Sequence, residues 1–329
     1  MRRGTISCFE RGALNLRGNR RLFLTLLLKS LLSMVVAVAT MVPALKILGL
    51  GDLYLQSLSG RPEALVDALP DWISMQQLPS GLPWAVAILV LGGVVQALIQ
   101  TFLDGGALGT LASGDRQAPA DTPVAEGQEL TADWFETFNW REFFGWGGQL
   151  VWRLLTWRIP VAAILAVLSV LPFLLMAMAF GGWQGTGGVA LAAGCFGGLV
   201  ILVLVSLLWL WWWVVEMHLS FLPLSLAVRR GSQSFIRRGG SWMLLTGIGF
   251  LLLIAAMVPV FLLSWSMQMV SSSGLVAVIF AQVVSGVLQA LVLGAVVLLM
   301  WGAAIALARN SGKPGEPAVG ATTVESSRL

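Results

Sequence analysis

The chain has 329 residues, of which 57% are hydrophobic and only 11% charged. A water-soluble domain carries about a quarter charged residues, so this composition excludes a soluble globular protein and points to a membrane protein. The formal charge is a modest +4, and its distribution along the chain says more than its size.

The chain opens on a basic segment, 1–21, with Arg2, Arg3, Arg11, Arg17, Arg20 and Arg21. An apolar run follows at about 22–48. It is too long for an ordinary signal core, and no small-residue cleavage motif clearly ends it, so it reads as a first span and not a cleaved leader. Further runs stand at about 83–102, 159–180, 189–215, 242–265 and 275–308. A helix needs ~20 apolar residues to cross a bilayer, and the fourth and sixth runs exceed that, so they tilt or continue past the lipid. The expected fold is an all-α, polytopic membrane helical bundle of about six transmembrane helices.

Between the first two runs, Leu65, Val66, Leu69, Trp72 and Ile73 keep the spacing of an amphipathic helix. Pro70 interrupts it, and an irregular capping loop fits equally well. Between the second and third runs, 112–127 is rich in Ala, Pro, Asp and Gly and reads as flexible. The segment 134–157 then gathers tryptophans, phenylalanines and arginines around Gly145, Gly147 and Gly148. Such mixtures suit the headgroup zone, and one or two interfacial helices leading into span three are expected. The end, 310–329, is small and polar and reads as a disordered tail.

Orientation follows from the arginines. Under a six-span arrangement, seventeen of the twenty basic residues fall on one side. Positive-inside bias puts that side, with both termini, in the cytoplasm. Spans one, three and five also share a local string: Met41-Val42-Pro43, Val170-Leu171-Pro172 and Met257-Val258-Pro259. Three similar helical hairpins would account for the match, and so would chance.

Few ionisable groups lie within the runs, and such groups carry a functional reading by default. Lys29 lies about two turns into span one, from where it can snorkel to the headgroups. Gln96, Gln100 and Asp104 share one face of span two. Spans one and two run in opposite directions, so Lys29 and Asp104 fall at similar depth. A Lys29–Asp104 contact supported by Gln100 is the sharper expectation, and two side chains facing headgroups independently the plainer one. Gln282, Ser285 and Gln289 form a stripe on span six that suits interhelical hydrogen bonds. Gly194 and Gly198 on span four, and Gly286, Ala290 and Gly294 on span six, are small-residue faces for close helix packing, within the chain or between two copies.

The run Trp209-Leu210-Trp211-Trp212-Trp213 reads as an interfacial aromatic belt. Glu216 and His218 follow it without a nucleophile or metal partner, so no acid–base centre is expected. With one histidine in the chain, a multi-histidine metal site is excluded, and no cofactor is expected. Arg229, Arg230, Arg237 and Arg238 flank small polar residues. They set topology and are candidates for contact with anionic lipid. No nucleic-acid-binding domain accompanies them.

Several short stretches resemble a loose group of bacterial six-helix integral membrane proteins, which includes the membrane domain attached to some glycerophosphodiester phosphodiesterases. The resemblance rests on Gly105-Gly106-Ala107-Leu108-Gly109, on Phe135 and Phe138 ahead of Arg153, on Leu224-Ser225-Leu226-Ala227, and on the segment 232–242. It covers roughly 84–265, and the catalytic histidine and acidic metal-site pattern of the phosphodiesterase has no counterpart. The resemblance therefore implies a membrane module without hydrolase activity in a bacterial inner membrane. The function expected is a scaffold or accessory subunit serving envelope or lipid homeostasis, with lipids, other membrane proteins or a second copy as partners. A transporter of an amphipathic or lipid-like solute is the alternative.

Overall fold

The structure, a computed structural model, describes residues 4–49, 81–118, 130–181, 188–270 and 275–309, with the side chains of 166, 169–181, 188–195, 267–270 and 275–282 excepted. The expected amphipathic stripe at 65–73 and the tail at 310–329 lie outside the described residues. Within them the chain is all helical: α1 (Thr5–Gly18), α2 (Leu22–Ile47), α3 (Leu82–Gln117), a 3-10 turn (Ala132–Phe135), α4 (Trp140–Gly181), α5 (Gly188–Leu219), α6 (Leu224–Val270) and α7 (Leu275–Arg309). Each of helices α2 to α7 carries one of the six apolar runs. Among the described residues, five helices are long and apolar enough to cross a membrane. The protein is a helical membrane bundle.

Helices consecutive in the chain are neighbours in space from α2 to α7, and α7 returns to pack on α2. The short connections from α4 to α5, α5 to α6 and α6 to α7 favour such neighbours. Helix α7 also meets α3 and α5. Half of its most apolar stretch (50%) is buried, against 11% for α2 and α3.

Among the described side chains, burial is concentrated at one end of the bundle, the arginine-rich end. There the helices continue well beyond the lengths the apolar runs indicate. Helix α3 does not stop near residue 102 but reaches Gln117, and 112–117 are helical, with Leu111, Ala112 and Asp115 buried. The reason is tertiary. Glycine costs a helix up to ~1 kcal/mol relative to alanine, yet here its missing side chain admits a neighbour. A Cβ on Gly106 would meet the Phe143 ring at 2.7 Å, and one on Gly109 would meet Trp146 Cδ2 at 2.7 Å. Phe143 is fully buried in that seat, worth about 1.5–3 kcal/mol. The aromatic segment 134–157 is likewise one element for most of its length. Gly145, Gly147 and Gly148 do not break it, and α4 runs without interruption from Trp140. Gly147 lets α4 approach the Phe102 carbonyl.

The basic segment ahead of span one forms a docked helix. Its buried residues Cys8, Arg11, Gly12 and Asn15 recur at helical spacing, and that face lies against α7. Gly12 and Gly302 bring the two backbones together: a Cβ on Gly12 would stand 2.8 Å from Ala303 Cα. Backbone cannot yield as a flexible side chain can. Gly12→Ala is expected to destabilise the protein by about 1–3 kcal/mol, measured as the thermal unfolding midpoint in detergent. A midpoint equal to wild type would show that α1 is not held there.

The arginine segment before span five is also helical. Helix α6 starts at Leu224 and bends at Arg238, whose φ of −131° and ψ of 25° leave the helical region. The serines between the arginine pairs fasten this segment, Ser232 to the tryptophan belt of α5 and Ser234 across the bend to Trp242 of α6 itself. Trp211 Nε1 donates to Ser232 Oγ at 2.9 Å, and Trp242 Nε1 donates to Ser234 Oγ at 3.1 Å.

Candidate functional site

Two clusters of charge are built into the arginine-rich end. The first joins four helices. Lys29 of α2 stands 2.5 Å from Asp104 Oδ1 of α3. The other oxygen of Asp104 lies 2.8 Å from Arg158 Nη1 of α4. Arg158 also donates through Nε at 3.1 Å, and through Nη2, to Glu216 Oε1 of α5. Two cations and two carboxylates thus alternate across α2, α3, α4 and α5. Glu216 is 3% exposed and Asp104 8%, so each carboxylate depends on its cation for solvation. Gln100, expected to support the lysine, makes no hydrogen bond to either residue among the described ones.

The geometry ranks the members. Lys29 is 30% exposed at its side chain and can reach water, whereas Arg158 serves two carboxylates at 19%. The lysine contact is therefore expected to be worth about 1 kcal/mol, at the upper end for an accessible pair. A double-mutant cycle with Lys29→Met and Asp104→Asn, read as thermal stability in detergent, measures it. Strictly additive losses would mean that the two charges are not coupled.

The second cluster ties both ends of the described chain to α3. Asp115 is 1% exposed. It accepts from Arg11 Nε of α1 and, at 3.1 Å, from Arg309 Nη1 of α7. The Arg11 guanidinium also donates to the Asp115 and Ala118 carbonyls and lies 5.0 Å from the Phe135 ring centroid. Beside it, Asn15 Nδ2 donates to the Leu111 carbonyl at 2.8 Å. Asn19 Nδ2 donates to the Phe135 carbonyl at 2.6 Å, and Asn19 Oδ1 accepts from the Thr137 N–H at 3.1 Å. The amides thereby satisfy backbone groups of the 3-10 turn that no helix satisfies.

The other sequence-selected residues fall in several places. Ser285 of α7 bonds to Ser264 of α6, and Gln289 Nε2 reaches both hydroxyls at 3.3–3.4 Å, so this stripe is an interhelical clasp. The side chain of Gln282 and the position of Gly194 lie outside the described side chains. Gly198 is buried, and Gly294 seats Leu26 of α2, a Cβ there being 2.7 Å from Leu26 Cδ2. Gly286 has open space around it, and Ala290 is half-buried. Arg229 and Arg237 are exposed, and Arg230 and Arg238 half-buried. His218 is buried, its Nδ1 against the Val214 carbonyl at 2.8 Å, while Glu216 is engaged by Arg158. The two therefore serve different partners.

Sequence reasoning did not identify Arg158, Glu216, Asp115, Arg11 or Arg309 as partners. It also missed a groove of about 540 Å³ between Leu165 of α4, Val205, Trp209 and Leu210 of α5, and Met243 and Thr246 of α6. Trp209 stacks on Trp213, with ring centroids 6.4 Å apart, and Trp213 meets Trp242 edge-on at 5.8 Å. Among the described residues no cluster of His, Cys, Asp and Glu has metal-site geometry. No family model, curated protein or solved structure matches the chain.

Proposed function

We propose that this protein is a non-enzymatic integral membrane module, a scaffold or accessory subunit serving envelope or lipid homeostasis in a bacterial inner membrane. The observation that carries this reading is the use made of buried charge. Both acidic clusters are matched by cations from other helices, which fastens the helices at one end. A transport path needs polar groups that exchange partners near mid-membrane. The open space at Gly286 gives a partner helix a close approach. The resemblance to the six-helix membrane domains agrees with a module of this kind.

Crosslinking in native membranes followed by mild detergent extraction tests the reading. A defined, stoichiometric complex with another membrane protein is expected, weakened by Gly286→Leu. Recovery as an unpartnered monomer under both conditions would count against it. The second reading, a transporter of an amphipathic or lipid-like solute, draws on the apolar groove beside α5. Movement of a fluorescent lipid analogue by the purified protein in liposomes would favour it.

In the proposed orientation the arginine-rich end and both termini face the cytoplasm. Exposed positions Arg141 and Arg229 at that end, and Trp84 at the opposite end of α3, serve as reporters. In a background lacking Cys8 and Cys195, Arg141→Cys and Arg229→Cys should label only from the cytoplasmic side, and Trp84→Cys only from outside. The reverse pattern overturns the orientation.

A further inference from the structure

The groove between α4, α5 and α6 has an apolar lining, and the arginine segment of α6 precedes it by about two turns along the chain. Two hydroxyls line it, Ser206 and Thr246. Both are turned back into their own helices: Ser206 Oγ donates to the Leu202 carbonyl at 2.8 Å and Thr246 Oγ1 to the Trp242 carbonyl at 2.9 Å. The rest of the lining is Leu, Val, Met and Trp. Water needs two or more polar partners to stay in such a space, and these walls offer too few. Hydrocarbon meets no such penalty. The volume of about 540 Å³ lies within the usual ~300–1,000 Å³ of small-molecule sites.

Helical register fixes which end is polar. Leu165 stands two turns from Arg158 on the same face of α4, and Trp209 stands two turns from Glu216 on the same face of α5. The Arg158–Glu216 ion pair therefore lies about 10 Å from both residues along their helices, at 1.5 Å per residue. On α6, Met243 follows the bend at Arg238. Gly239 and Gly240 lie between them, and a Cβ at either would meet nothing within 4 Å. Arg237 stands six residues before the groove residue Met243 along α6, about 9 Å of helix rise. Arg237 is exposed there beside Ile236, which is 81% exposed. From 224 to 240 the segment contains no acidic residue. The bend thus presents a cation and an apolar side chain side by side.

We propose that this groove is a binding site for one anionic membrane phospholipid, with an acyl chain along α5 and the phosphate held at the α6 bend by Arg237. The inference depends on the membrane fold and not on the accessory role. The phospholipid is bound specifically, in contrast to the exchanging lipids that cover the other apolar faces.

Purified protein in discs of mixed phosphatidylcholine and phosphatidylglycerol, read by native mass spectrometry, tests the site without any partner protein. Wild type should retain one phosphatidylglycerol through detergent release, at least tenfold over phosphatidylcholine. Thr246→Trp, which fills the groove, should lower that retention at least tenfold. Met243→Phe, a smaller filling that keeps an apolar side chain, should lower it several-fold with the thermal midpoint unchanged. Arg237→Gln should abolish the preference for phosphatidylglycerol and leave total retained lipid within twofold. Retention of no lipid by wild type, equal retention of both lipids, or retention unaffected by filling the groove would each overturn the site.

Discussion

Arg158→Met is expected to lower the stability of the detergent-solubilised protein by about 3–5 kcal/mol, the usual loss when one partner of a buried ion pair is removed. Arg158 is the hub of the four-helix cluster, 2.8 Å from Asp104 and bonded twice to Glu216. Removing it leaves Glu216, 3% exposed, without a cation in surroundings that cannot solvate a carboxylate. Asp104 keeps Lys29, so the loss falls mainly on the α4–α5 contact. The paired change Arg158→Met with Glu216→Gln removes the stranded charge as well and should recover at least half of the lost stability. The thermal unfolding midpoint of the three proteins measures both effects. A midpoint for Arg158→Met within about 1 kcal/mol of wild type would mean that the cluster is solvated and contributes no more than a surface pair.

The spans were legible because hydropathy sums over ~20 residues and the solvent enforces it. Helices α2 and α7 begin where their apolar runs begin. What lies past the lipid was not legible in the same way. Gly105, Gly106 and Gly109 weaken helix propensity locally, and their role appears only when Phe143 and Trp146 are seen seated on them. The arginine segment has no apolar run to mark it as a helix. Its helix is held by Ser232 and Ser234 meeting two tryptophan N–H groups, a pairing no sequence period encodes.

The charge clusters were partly legible. The argument that placed Lys29 and Asp104 at equal depth applies equally to Arg158 and Glu216, which stand at the same end of the next two helices. Two cations and two carboxylates at one depth on four consecutive spans is a signal the sequence holds, and extending the depth argument past the first hairpin would have found it. Asp115 offered no such signal. It stands far beyond the second apolar run, and its partners Arg11 and Arg309 lie near opposite ends of the chain.

That separation gives Asp115 its expected effect. Asp115→Asn keeps an acceptor oxygen and the side-chain shape but removes the charge shared by Arg11 and Arg309. Arg11 is 4% exposed, so its guanidinium loses the carboxylate of α3 while keeping its bonds to the Asp115 and Ala118 carbonyls. A loss of about 3–5 kcal/mol follows when one partner of a buried ion pair is removed, and α1 carries most of it, because apart from Leu16 the rest of its buried face is small or polar. Local opening of α1 becomes the protein's most accessible excursion. Cys8, fully buried under that helix, reports the opening directly. With Cys195 replaced by serine, maleimide should label Cys8 in Asp115→Asn about a hundredfold faster than in wild type, since ~1.4 kcal/mol is a tenfold change in an equilibrium constant. Arg309→Gln should accelerate labelling far less, because Arg309 is 30% exposed and Arg11 still neutralises Asp115. If Cys8 in Asp115→Asn stays as protected as in wild type, α1 is held by its glycine contact with α7 and the aspartate is not the clasp.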